Sequence, residues 1–119
     1  QAKSANFSGQ YIVLRNFGVG IKNVEKLYLA GGFANYVNVE NAIRIGFIAN
    51  INKDRVMKVG NSSLEGATLM LISEQMRDVA EKIVNKIEHV ELETTPDFFE
   101  IFVEGCMFDP MNPDDDSRN

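Results

Sequence analysis

Two glycine turns are the places where this chain of 119 residues could do chemistry. Leu27, Tyr28 and Leu29 form an apolar run that reads as a short buried strand, and after Ala30 it breaks on Gly31 and Gly32. Arg55-Val56-Met57-Lys58-Val59 reads as a second short strand that also ends on glycine, Gly60, with Asn61 next. Glycine has no Cβ and adopts positive φ freely, so backbone N–H groups there can approach a flat or anionic ligand closely. Ligands of α/β sheets sit at the carboxyl ends of strands. Backbone amides would be the donors, and Phe33 or Tyr36 could supply a stacking wall for a nucleotide base. An ordinary strand-to-loop turn explains the glycine pair equally well.

Other chemistries find little support. There is no G-x-x-x-x-G-K-[ST] phosphate loop, no G-x-G-x-x-G after a strand and no G-x-S-x-G elbow. Cys106 is the single cysteine, so it builds neither an internal disulfide nor an iron–sulfur or zinc site. It follows Gly105 in an apolar segment and reads as a buried, inert thiol. His89 is also alone and suits a helix terminus. Asp114, Asp115 and Asp116 lie in a terminal stretch that reads as a solvated tail rather than a cation site.

Composition sets the frame for these turns. With 45 % hydrophobic residues the chain can bury one core. The net charge of −5 argues against a nucleic-acid surface. The last eleven residues hold four aspartates and one arginine, a net of −3, which leaves −2 for the other 108. No run approaches the roughly 18 apolar residues of a membrane span, and no secretory signal is visible. The expected location is the cytoplasm. Gln1 stands first within a helical pattern, so the chain reads as beginning inside a longer protein.

Helices and strands alternate along the chain, which implies parallel strands and an α/β fold. A helix is predicted over about 2–17 with Gly18 and Gly20 as its stop, and a strand over about 25–30. Asn38 caps a short helix over 39–45 that ends at Gly46. Ser62 and Glu65 fit a capping box opening a helix through Ile72, apolar nearly all round and so expected between layers. A more polar helix runs from 74 to about 88, with Asp78 and Lys82 spaced to pair. Residues 90–93 suit a strand with one wet face, and Thr95-Pro96-Asp97 a helix start. Phe98, Phe99, Ile101, Phe102 and Val103 make that last helix very apolar, expected on its own sheet, with a partner or a second copy as the other occupant.

Three segments in order carry a resemblance: 29–36 (Leu29 to Tyr36), 41–46 (Asn41 to Gly46) and 59–67 (Val59 to Ala67). Over about 1–110 the chain resembles the C-terminal part of the reductive activators of corrinoid proteins. Their ATPase module belongs to the acetate kinase, sugar kinase, heat-shock chaperone and actin superfamily, abbreviated ASKHA. The resemblance implies a partial actin-like (ribonuclease-H-like) sublobe with a short, mainly parallel sheet and flanking helices. Residues 111–119 would be an acidic disordered tail.

In function, the resemblance implies the adenosine half of a nucleotide site. Gly31 and Gly32 map to the superfamily's adenosine motif, with Phe33 and Ala34 following. Gly60 and Asn61 would line the neighbouring turn, and Lys3, on a helix that looks like the one flanking the base, becomes a contact. The implied parent binds ATP with magnesium. It reduces cobalt(II) corrinoid proteins to cobalt(I) for methyl transfer, using an iron–sulfur cluster in an N-terminal ferredoxin-like domain. Its implied partners are a corrinoid methyltransferase component and the remaining ATPase lobe. The superfamily's phosphate loops and the ferredoxin cysteines are absent from these residues. Alone, the chain is expected neither to hydrolyse ATP nor to move electrons. A noncatalytic interaction module docking through the last helix, and a sublobe of another kinase of this superfamily, are the competing readings.

Overall fold

In a computed structural model, residues 1–112 are described. Helix α1 (Ala2–Asn16) is followed by strand β1 (Leu27–Ala30), a short 3₁₀ turn (Gly32–Tyr36) and helix α2 (Val39–Arg44). Strand β2 (Val56–Gly60) leads into α3 (Ser62–Ile72), α4 (Glu74–Val84) and, after a long connection, α5 (Phe98–Glu104). The two strands pair in parallel, with Leu27 opposite Val56 and Ala30 opposite Gly60. The register shifts between Leu29 and Ala30, just before the glycine pair. This is an α/β arrangement with flanking helices.

Local sequence explains several boundaries. After α1, Gly18 (φ +63°) lets the Val19 N–H reach back to Leu14 and its own N–H to Arg15, a Schellman closure. After α2, Gly46 (φ +79°) does the same, with Phe47 bonding Ala42 and Gly46 bonding Ile43. At the start of α2 the Asn38 side chain accepts from the Asn41 N–H at 2.9 Å, the expected cap.

The core lies under α1 rather than under the strands. Phe7, Tyr11 and Ile12 of α1 pack with Ile21, Ala49, Ile51, Ile101 of α5 and Met111. Leu27 and Val56 touch this cluster from the sheet and are only partly buried. Helix α5 therefore packs on α1, not on the sheet. Gly105 makes the crossing close, since a Cβ there would stand 3.0 Å from the Phe7 ring and 3.1 Å from Ser4 Cα. Arg15 of α1 clasps Asp97 with both nitrogens, at 2.6 and 2.8 Å. Met111 and Asn112 belong to the folded body: Met111 is 1 % exposed, and its carbonyl accepts from the Asn50 N–H. The three aspartates of the tail lie outside the described residues.

Several expectations give way to tertiary context. Helix α3 has no buried residue, and Leu71 is 82 % exposed. Its apolar sides would need layers on both flanks, and α4 is the element that packs most against it. Asn61, not Ser62, caps α3, with its side chain accepting from the Leu64 N–H, so the Ser62–Glu65 box does not form. Helix α4 ends at Val84, and Asp78 and Lys82 do not pair among the described residues. Residues 90–93 form no strand because no sheet edge meets them; Val90 and Leu92 pack on the core instead. Helix α5 starts at Phe98 rather than at Pro96, and the carboxylate of Asp97, at the cap position, makes no capping bond and serves Arg15. Cys106 is exposed rather than buried, since it follows the last turn of α5 at the surface; the Ser4 hydroxyl donates to its sulfur at 3.2 Å.

Candidate functional site

The parallel register sets the two strand-end glycines side by side. The Gly31 N–H donates to the Gly60 carbonyl at 2.6 Å, so the two turns open together at the carboxyl edge of the sheet. Both glycines have positive φ, +100° at Gly31 and +64° at Gly60, a backbone that L side chains rarely adopt. A Cβ built at Gly31, Gly32 or Gly60 meets nothing within 4 Å. The turns thus present bare backbone to open space.

From Gly31 the chain enters the 3₁₀ turn, whose leading N–H groups, at Gly32 and Phe33, have no preceding turn to bond to. The Gly31 N–H is committed to Gly60, and the Ala34 N–H to the Gly31 carbonyl at 3.1 Å. The N–H groups at the front of the turn that no intrahelical carbonyl serves are therefore those of Gly32 and Phe33, not that of Gly31. Ala34 is the buried anchor of the turn, while Phe33 and Tyr36 are 77 % and 85 % exposed. A shallow apolar hollow of about 270 Å³ runs from Phe33 and Val37 to Ala42, Ile45 and Phe47, with Asn38 and Asn41 at its side.

The remaining candidates are placed differently. Asn61 follows Gly60 directly, but its side-chain oxygen is engaged at the start of α3. Lys3 sits at the α1–α5 crossing, where its ammonium donates to the Gly105 and Met107 carbonyls at 2.6 and 2.5 Å and stands 5.0 Å from the Phe7 ring. Burial lowers its pKa, with Cys106 and Asp109 acting in the opposite direction. The glycines and Asn61 come together, and Lys3 is committed elsewhere. Nothing in the sequence singles out Lys58. From β2 it reaches the loop after β1, donating to the Val37 carbonyl at 2.6 Å.

The fold and the paired turns define a class: a partial α/β domain with two glycine turns at one edge of a short parallel sheet. The family model for the C-terminal domain of RACo, the ASKHA domain, matches residues 1–116, and the chain belongs to that family. The corrinoid activation enzyme RamQ of Eubacterium limosum is 34 % identical over 107 residues, which is 90 % of this chain and 18 % of RamQ. The chain is therefore a C-terminal ASKHA region of the corrinoid-activator kind, and it spans less than a fifth of the length of that relative.

Proposed function

We propose that the chain supplies the adenosine side of the nucleotide site in an ATP-dependent activator that reduces corrinoid cobalt(II) to cobalt(I). The hydrogen bond from Gly31 to Gly60 is the observation that carries this reading, because it fixes two Cβ-free turns at one sheet edge. A ribose and base fit against such a surface, where any side chain would stand in the way. Gly32 and Phe33 offer N–H donors, Phe33 or Tyr36 offers a ring face, and Gly60 and Asn61 border the other side. ATP, carried with magnesium, would supply the free energy for the uphill reduction.

The chain's own part in this is binding and orientation. No residue of it is assigned to phosphoryl transfer, and its single cysteine cannot hold an iron–sulfur cluster. The cluster, the phosphate loops and the contacts to a corrinoid protein are assigned to the rest of a longer polypeptide. An isolated sublobe would bind ATP weakly, since enclosure supplies much of a pocket's affinity.

The test is ATP affinity of the longer polypeptide by calorimetry, with and without Gly32→Val. Gly32 has ordinary φ and open space, so the added side chain obstructs the turn without straining it. A loss of tenfold or more, of order 1.4 kcal/mol, is expected. Unchanged affinity would remove the assignment. The second reading, an interaction module, is favoured by Phe99, 75 % exposed on α5. A partner lost on Phe99→Ser, with no nucleotide effect from Gly32→Val, would support it instead.

A further inference from the structure

Lys58 lies two residues before Gly60 and belongs to neither glycine turn. Its ammonium crosses to the loop that β1 opens, donating to the Val37 carbonyl at 2.6 Å and standing 3.4 Å from the Asn35 carbonyl. These carbonyls close the 3₁₀ turn Gly32–Tyr36, where terminal C=O groups lack helical donors and a cation is favoured. The turn's own closing bond, from the Val37 N–H to Ala34, is long at 3.3 Å. At its front, the Gly31 N–H is tied to Gly60. Strand β2 thus grips the turn at both ends, through Gly60 in front and Lys58 behind. Between those ties only Ala34 is buried, so packing does little else to hold the turn.

We infer that Lys58 is a positioning residue for the nucleotide site, its ammonium holding the back of the 32–37 turn so that Gly32 and Phe33 face an adenosine in one arrangement. The inference rests on the adenosine reading above. A turn ordered before the ligand arrives does not have to be ordered by it, and that saving appears as affinity. The hydrogen bond is charge-assisted, which makes it stronger than a neutral one. Lys58 itself is exposed, so its replacement leaves the core untouched.

The experiment uses the longer polypeptide with Lys58→Met, Lys58→Arg and Gly32→Val. Backbone hydrogen exchange is followed without nucleotide, and ATP affinity by calorimetry. Lys58→Met is expected to speed exchange in 32–37 by several-fold and leave α1 unchanged, the signature of local opening. It should weaken ATP binding by roughly three- to tenfold, the scale of one exposed charge-assisted bond. Lys58→Arg should recover most of both effects, because the guanidinium keeps charge and donors. Unaltered exchange in Lys58→Met, or wild-type ATP affinity while Gly32→Val loses it, overturns the inference and leaves the adenosine reading standing. If neither Lys58→Met nor Gly32→Val changes ATP affinity, the adenosine reading fails and the role of Lys58 in it fails too. Should Lys58→Met not fold, Lys58→Gln carries the same comparison.

Discussion

The Gly31 N–H and the Gly60 carbonyl meet at 2.6 Å where the parallel register slips by one residue, so the ends of two strands are fastened to each other. Both glycines have positive φ at that junction. The fastening turns two separate loops into one surface, and the backbone N–H groups of Gly32 and Phe33 lead away from it.

A graded response to alanine is expected along the glycines. Gly32→Ala is near neutral, since its φ is ordinary and a Cβ meets nothing. Gly60→Ala costs about 1 kcal/mol from left-handed backbone alone. Gly46→Ala is worst, about 3 kcal/mol or more, because a Cβ there combines φ +79° with an approach of 2.3 Å to the Asp109 carbonyl oxygen. Urea midpoints of the three variants check the order. Equal costs at Gly32 and Gly46 would contradict it.

The Arg15–Asp97 pair joins α1 to the start of α5 and is about three-quarters buried at both side chains. Asp97→Ala is expected to cost about 1–2 kcal/mol, more than a surface pair, because the forked geometry is bidentate and partly desolvated. Arg15→Ala also removes a guanidinium 5.7 Å from the Tyr11 ring. In a double-mutant cycle the two changes should be less than additive.

Lys3 gives a pH dependence with a defined sign. Burial holds its folded pKa below the ordinary 10.5. Between those two values the unfolded chain binds more protons, so this residue makes stability rise with pH across that window. Below the window the charged form works against the fold, and above it that effect is relieved. On the approach to pH 10.5 from below, melting temperatures should climb less steeply in Lys3→Met than in wild type. Identical slopes would contradict the assignment.

The outer face of α3 and α4 is apolar and exposed, with Leu71 at 82 % and Ile72 at 75 %. Leu71→Lys should change the unfolding free energy of this chain by no more than about 0.5 kcal/mol, because the side chain is exposed. Dye binding to exposed apolar surface should fall. A marked loss of stability would mean that the face is covered.

Legibility in the sequence followed the range of the interactions. Gly18, Asn38 and Gly46 mark helix ends through bonds to residues three to five positions away, and those were readable. The parallel strands and their glycine ends followed from alternation and turn chemistry. Failures came where a distant partner decides. The composition of the apolar α3 suits a two-sided layer, yet none of its residues is buried and α4 is its main neighbour. Residues 90–93 have strand-like alternation without a strand to join. Asn61 won the cap from Ser62 by one position, a choice local patterns leave open. At the site, only the resemblance points to Lys3, whose ammonium lies at the α1–α5 crossing. Lys58 is illegible in the sequence because one lysine in a short strand has no signature until the 32–37 turn folds against it.

The most direct measurement of the central claim is a titration of the isotopically labelled chain with ATP, followed through backbone amide resonances. Shifts concentrated at Gly31, Gly32, Phe33, Gly60 and Asn61 are predicted, with Gly32 and Phe33 largest because their N–H groups lead the turn. Shifts confined to α5 around Phe99, with the glycine amides still, would contradict the claim and point to an interaction module.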